Sequence, residues 1–173
     1  IALLDHDDIL HPSALYDVMQ AINYHQGEFI YTDELSFDGV PERVQNIHFK
    51  PDFSQESFRS NNYICHFSVF SRRLLEKSGK FRREFDGSQD YDMLLRLTDE
   101  ADNIYHVPKV RYYWRIHEGS VAASSAAKPY TIEAGRRALE AHLQRRKIPG
   151  TVSSAEEYGP FYRVHYEIPE NMK

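Results

Sequence analysis

Ile1-Ala2-Leu3-Leu4-Asp5-His6-Asp7-Asp8-Ile9-Leu10-His11-Pro12 opens the chain. Its apolar start has the character of a buried parallel strand, which needs no polar alternation because both faces are covered. The run then breaks into Asp5, Asp7 and Asp8. Three carboxylates packed at the end of a buried strand repel one another, and a divalent cation or another positive charge among them relieves the strain. Oxygen donors of this kind suit Mg²⁺ or Mn²⁺, ions most useful against phosphate oxygens. A solvated turn leading into a helix accounts for the same residues, with Asp8 favoured by the helix dipole. The local pattern leaves both open.

Outward from this stretch, Pro12 and Ser13 open a predicted helix with Leu15, Val18, Met19 and Ile22 at helical spacing. Glu28 to Thr32 reads as the next strand, centred on Phe29-Ile30-Tyr31. Strand, helix and strand within about thirty residues make a βαβ unit, hence a parallel pair joined by a right-handed crossover. Asp5, Asp7 and Asp33 are then expected at the carboxyl ends of neighbouring strands, the rim where open α/β sheets bind ligands. Further along, Asp38-Gly39 signals a turn and a short helix is expected to end near Phe58. Tyr63 to Phe70 is strand-like, Arg72 to Ser78 a short helix closed by Gly79, and Ser88 to Glu100 an amphipathic helix using Met93, Leu94 and Leu97. Ile104 to Val107 and Val110 to Arg115 are two strands or one extended piece broken at Pro108. Tyr130 to Arg146 is the longest helix, carrying Ala134, Ala138, Leu139 and Leu143, and Phe161 to Ile168 alternates like a strand.

Composition narrows the function. The 173 residues suffice for one domain with a real core. The chain is 41% hydrophobic and 13% aromatic, which argues against disorder. Net charge is −5 and no Lys/Arg block occurs, so nucleic acid is not the expected partner. The single cysteine, Cys65, excludes an internal disulfide framework and fits a reducing compartment. In a strand, Cys65 and His66 would point to opposite faces, so Cys65 reads as buried and inert rather than a nucleophile. No stretch approaches ~18 apolar residues, and no secretory signal pattern is present. Glycine-rich phosphate loops, zinc-protease and serine-hydrolase motifs are absent.

Three further clusters carry chemistry. Gly87-Ser88-Gln89-Asp90-Tyr91-Asp92 places Asp90 in the first turn of its helix, where an ionised carboxylate is favoured and can serve as a general base. Helix capping by Ser88, with Asp90 and Asp92 as first-turn anions, is the competing reading; Asp92 is expected to cap or face solvent. Trp114-Arg115-Ile116-His117 puts Arg115 and His117 on one side if extended. An imidazole suits Mn²⁺ and an arginine suits a diphosphate, although a lone loop histidine needs no such role. Asn61-Asn62-Tyr63-Ile64-Cys65-His66 offers amide and aromatic groups that bind sugars, or an ordinary polar turn.

Taken in this order, the clusters resemble the back part of a family 2 glycosyltransferase, an inverting enzyme with the A-type nucleotide-sugar fold. Residues 3–12 resemble its D-x-D segment and Tyr31-Thr32-Asp33-Glu34 the strand after it. Phe49-Lys50-Pro51-Asp52-Phe53-Ser54, Asn62 to His66, Phe85 to Asp92, Tyr113 to Ser120 and Ala127-Lys128-Pro129-Tyr130 are similar to a bacterial subgroup building O-antigen, rhamnan-type or other surface polysaccharides. The resemblance implies an α/β fold with a mixed, mostly parallel sheet flanked by helices and without the N-terminal βαβ units. It implies a nucleotide-diphosphate sugar donor, a glycan or lipid-linked glycan acceptor, and Mn²⁺ or Mg²⁺ as cofactor. Asp90 takes the place of the catalytic base, although Gln89-Asp90 stands where many relatives have Glu-Asp. Asp7 and Asp5 take the metal and nucleotide positions, with Asp8 assisting, His117 as a further metal ligand and Arg115 on the diphosphate. Asp33, Asn62, Tyr63, His66, Gln89 and Trp114 are placed on the acceptor or sugar side.

The same resemblance divides the chain into residues 1–150, the transferase portion, and 151–173, a strand and linker toward a following domain. A slice of this kind is expected to belong to a longer, cytoplasmic enzyme, peripheral to the inner face of the bacterial membrane, and to be inactive alone. Two other classes stay open on these residues: a binding module without chemistry, and metal-dependent hydrolysis or nucleotidyl transfer.

Overall fold

The computed structural model describes residues 1–116, 129–155, 160–168 and 170. The elements run β1 (Ile9–Leu10), α1 (Ala14–His25), β2 (Phe29–Asp38), β3 (Val44–His48), α2 (Gln55–Ser60), β4 (Ser68–Phe70) and α3 (Arg72–Ser78). A short 3₁₀ turn (Arg83–Phe85) then leads into α4 (Gln89–Glu100), β5 (Ile104–Ile116), α5 (Pro129–Arg146), β6 (Gly150–Ser154) and β7 (Tyr162–Tyr166). The class is α/β as expected. A mixed sheet is flanked by helices, and its longest ladder is the parallel pairing of β2 with β5.

β2 is the axis of the sheet. One edge pairs with β5 along its whole length; the other is shared, Phe29–Tyr31 taking antiparallel β4 and Glu34–Phe37 taking antiparallel β3. Residues 1–3 line the outer edge of β4, with Ala2 bridged to Val69 and Leu3 N–H donating to Ser68 O at 3.2 Å. Two antiparallel steps make residues 1–3 and β2 run in the same direction, as predicted, but β4 lies between them. They are therefore not neighbours. β2 also continues five residues beyond Asp33, so Asp33 sits within the strand rather than at its end.

Two other expectations change. Tyr63 to Phe70 is strand only at Ser68–Phe70, because side chains capture the backbone before it: Cys65 N–H donates to Asn62 Oδ1 and His66 N–H to Glu34 Oε2. Buried N–H groups need a partner, and these find theirs outside the ladder. Pro108 does not break β5. The register slips at Asp33, which faces Val110 while Thr32 faces Val107, so a bulge absorbs the residue that lacks an N–H.

Helices cover the sheet on two apolar clusters. Ala14, Val18 and Ala21 of α1 pack on Ile30, Phe67, Val69, Val107 and Tyr112. The predicted stripe was rotated: Leu15, Met19 and Ile22 are exposed, and Asp17 is buried instead. Asp17 turns inward because Lys109 Nζ and Arg111 Nε each donate to it at 2.6 Å from β5. The larger cluster joins Phe29, Tyr31 and Phe70 to Phe58, Leu74, Tyr91, Leu94, Leu97, Leu139 and Leu143. α4 is buried from Tyr91 through Thr98, a wider face than the predicted stripe. Asp92 belongs to that interior. It neither caps nor meets solvent, being bonded to Arg82 and to Arg96 one turn on. Ser88 Oγ likewise donates to Thr131 O rather than capping α4. Gly79 closes α3 as predicted, at a φ of +81° that glycine tolerates. β6 and β7 form an antiparallel ribbon joined to the larger cluster through Val152 and Tyr162. No described helix is long and apolar enough to cross a membrane.

Burial alone would raise the Asp17 carboxyl, but Lys109 and Arg111 outweigh it and bring its pKa down to about 2. A carboxyl depressed on folding adds stability above its unfolded pKa and loses it as pH falls toward the folded value. Asp17→Asn is expected to cost about 2 kcal/mol at pH 7. The gap from the native protein should shrink below about pH 4 and largely close by pH 2, as read by urea unfolding across that range.

Candidate active site

The acidic loop is anchored to β5. Asp8 takes the Tyr112 hydroxyl on one carboxylate oxygen and the Arg115 N–H on the other, the latter at 2.7 Å. Arg115 Nε donates to Asp7 O at 2.8 Å and Nη1 to Gly39 O at 2.5 Å, while the guanidinium lies 4.6 Å from the centre of the Phe37 ring. Arg115, read from the sequence as a diphosphate ligand, is thus placed as a clamp on the loop backbone. Asp5 projects toward solvent with Oδ2 at 3.7 Å from His66 Nε2. Asp7 is held at the rim, 3.8 Å from the exposed His6 ring.

Behind the loop lies a buried group of charges. Glu34 on β2 and Lys50 after β3 are both buried, with Nζ at 3.0 Å from Glu34 Oε2. The same ammonium donates to Ile64 O at 2.5 Å and to His66 O. Glu34 Oε1 lies 3.2 Å from His48 Nδ1, and Oε2 accepts the His66 N–H at 3.2 Å. Burial penalises the Glu34 charge, yet the hydrogen bonds from His48 and His66 and the Lys50 ammonium prevail, holding the carboxyl far below the usual range. The His66 ring stacks on Tyr112 at 4.7 Å and tilts against Trp114 at 5.3 Å. Cys65, Glu34 and His66 do come together, their donor atoms within 4.8 Å, because the segment is a loop and not the expected strand. Burial and the adjacent Glu34 and Asp90 carboxylates push the Cys65 thiol up, so the thiolate is suppressed and the residue is no nucleophile.

Asp90 enters from the start of α4. Asn62 Nδ2 donates to Asp90 Oδ2 at 2.9 Å, while Asn62 Oδ1 holds the Cys65 N–H, so one amide ties Asp90 to the loop carrying His66. Burial raises the Asp90 pKa against the lowering effects of the Tyr91 N–H, His66 and Asn62. A carboxylate with raised proton affinity, oriented by a neutral donor, is suited to general-base work.

The structure separates the remaining predicted residues from this group. Asp33 is buried in the sheet, accepting Lys50 N–H at 2.9 Å and lying 2.8 Å from His106 Nε2. Tyr63 is a core residue: Phe58 packs edge-on against its ring at 5.6 Å, and its hydroxyl accepts the Ser54 N–H. Neither offers a surface to a sugar. Gln89 Oε1 turns back to accept the Gly87 N–H. His117 lies outside the described residues. Glu34, Lys50 and Tyr112 were not singled out as site residues. The available signal was a glutamate inside a strand of buried residues and a lysine between Phe49 and Pro51.

Asp5, Asp8 and His66 each offer a donor atom, all within 4.8 Å of one another. Two carboxylates and an imidazole fit Mn²⁺, and the carboxylates alone fit Mg²⁺. The donor set present is therefore chemically suited to the cofactor the resemblance implies.

A mixed sheet built on a parallel ladder with antiparallel neighbours and flanked by helices is the architecture of the A-type glycosyltransferases. The solved structures agree. TarS of S. aureus (residues 1–349) in complex with UDP-GlcNAc superposes with a TM-score of 0.59 at 17% identity, covering 81% of this chain and 41% of that one. The same protein in complex with UDP gives 0.51 at 14% identity, over 82% of this chain and 46% of that one. In sequence, the chain is 36% identical over 171 residues to the O-antigen biosynthesis protein RfbC of Myxococcus xanthus, covering 97% of this chain. It is 50% identical over 148 residues to the uncharacterized protein y4gI of Sinorhizobium fredii, covering 84% of this chain. The chain spans 13% and 16% of the length of these two relatives, respectively. No protein-family model matches it. The solved structures bear out the expected fold, and the sequence kinship is with an O-antigen biosynthesis protein.

Lys50→Met takes the ammonium away from the buried Glu34 carboxylate, leaving it only His48 and the His66 N–H, and is expected to cost ~3–5 kcal/mol in urea unfolding. Adding Glu34→Gln should recover part of that loss. Asn62→Leu removes the donor to Asp90 and should raise its pKa further, visible as an upward shift of the Asp90 carboxyl titration in ¹³C NMR.

Proposed function

We propose that the chain forms the acceptor-side portion of an inverting glycosyltransferase in surface-polysaccharide synthesis, with Asp90 as general base. The observation carrying this reading is the Asp90 carboxylate at the start of α4, held at 2.9 Å by Asn62 Nδ2 on the same loop that brings His66 to Asp5. The donor is a nucleotide-diphosphate sugar and the acceptor a glycan or lipid-linked glycan hydroxyl. Asp90 removes the hydroxyl proton as the acceptor oxygen bonds to the anomeric carbon from the face opposite the diphosphate. The bond from that carbon to the diphosphate oxygen breaks, and configuration inverts. One base suffices, whereas glycoside hydrolysis wants two carboxyl groups flanking the bond.

Asp5 and Asp8, whose donor atoms lie together at the rim with Asp7 beside them in sequence, would hold Mn²⁺ or Mg²⁺, which when bound would supply Lewis-acid stabilisation of charge on the leaving diphosphate. Arg115 and Tyr112 keep the acidic loop in place, so its carboxylates need no reorganisation during reaction. The kinship with an O-antigen biosynthesis protein supports a surface glycan as product, and the fold shared with TarS in complex with UDP-GlcNAc supports a nucleotide-sugar donor. We take the activity to belong to a longer polypeptide, peripheral to the cytoplasmic membrane, in which this segment lies.

The test is Asp90→Asn in the full-length enzyme, assayed for sugar transfer from a panel of nucleotide-sugars. A loss of ~10²–10⁴-fold with folding and donor binding retained is expected. Near-normal transfer removes Asp90 from the role. Donor binding by the native enzyme with no transfer to any acceptor indicates a binding module instead, and release of free sugar in its place indicates a hydrolase.

A further inference from the structure

The buried charges behind the acidic loop take no part in the proton transfer just described, yet they are arranged around one imidazole. His66 Nε2 faces the loop, 3.7 Å from Asp5 Oδ2, and shares a 4.8 Å cluster with donor atoms of Asp5 and Asp8. His66 Nδ1 is buried without a hydrogen-bond partner and lies 3.6 Å from Glu34 Oε2. The ring stacks on Tyr112 and tilts against Trp114, contacts that restrict its rotation. Glu34 cannot swing away, because Lys50 and His48 hold its two oxygens. Metal-binding histidines turn their second nitrogen to a carboxylate or carbonyl, which sets the tautomer and strengthens the ligand.

We propose that His66 is the nitrogen ligand of a divalent-cation site shared with Asp5 and Asp8, and that Glu34 is the positioning residue that orients it. The inference rests on the reading of the site as cation-assisted and names the imidazole that completes it. The charges balance: two carboxylates and a neutral imidazole neutralise one divalent ion. Asp8 is already hydrogen-bonded on both oxygens by Tyr112 and the Arg115 N–H, the outer support that ligating carboxylates normally have. The alternative trio of Glu34, Cys65 and His66 is a poorer site, since the thiol is held protonated and Glu34 is spent on Lys50.

The test is Mn²⁺ binding to the full-length protein, measured by calorimetry and by electron-spin-echo envelope modulation at pH 7.5, without donor or acceptor. The native protein is expected to bind Mn²⁺ with ¹⁴N modulation from a coordinated imidazole. His66→Gln should abolish the modulation, and Glu34→Gln should keep it while weakening Mn²⁺ affinity by about 10–100-fold. Circular dichroism reports folding of both variants; should Glu34→Gln not fold, His66→Gln decides the ligand alone. Modulation that persists in folded His66→Gln overturns the proposal by assigning the nitrogen to another histidine. Bound Mn²⁺ without nitrogen modulation also overturns it while leaving a cation-assisted site in place. No Mn²⁺ binding by the native protein removes both readings together.

Discussion

Lys50 brings its ammonium out of water to meet Glu34 on one side and the carbonyls of Ile64 and His66 on the other. Removing a charge from solvent is costly, and the cost is offset only where hydrogen bonds satisfy it from several directions. Here they do so, and the result is a joint between the central strand and the loop that replaces a strand at residues 63–67. The loop in turn carries His66 to the acidic cluster and, through Asn62, fixes Asp90. The acidic-loop side and the Asp90 side of the site are therefore joined through one buried ion pair. A shift in Lys50 would move both.

The same device recurs where helices meet the sheet and one another. Asp17 draws α1 onto β5 through Lys109 and Arg111, and Asp92 ties α4 to Arg82 on the segment before it. His142, fully buried on α5, lies between Arg59 of α2 and Asp99 of α4, 3.1 Å from each. Apolar burial supplies the driving force for these packings but is non-directional. Hydrogen-bonded charges add the direction, since each is satisfied in only one arrangement.

Much of this is legible in the amino-acid sequence. The helices α3, α4 and α5 follow from apolar spacing and from the stop at Gly79, because helix periodicity is a local property. Asp90 at the first turn of α4 and the acidic run after residue 4 were equally readable, each being a short stretch with its chemistry on its face. Periodicity could not choose which stripe of α1 is buried. Leu15, Met19 and Ile22 make as good a helical face as Ala14, Asp17, Val18 and Ala21, and the choice was made by cations on a strand some ninety residues away.

The amino-acid sequence by itself determined the α/β class, the helices, the acidic loop and the helix-borne carboxylate, because these rest on neighbours within a few residues. Only the tertiary structure decided that β4 lies between residues 1–3 and β2, that Asp33, Tyr63 and Asp92 are interior, and that Glu34, Lys50 and His66 converge. Those outcomes depend on long-range pairing. A buried charge takes whichever distant partner satisfies it, and nothing in the local pattern around Glu34 announces that its partners will be Lys50 and His66.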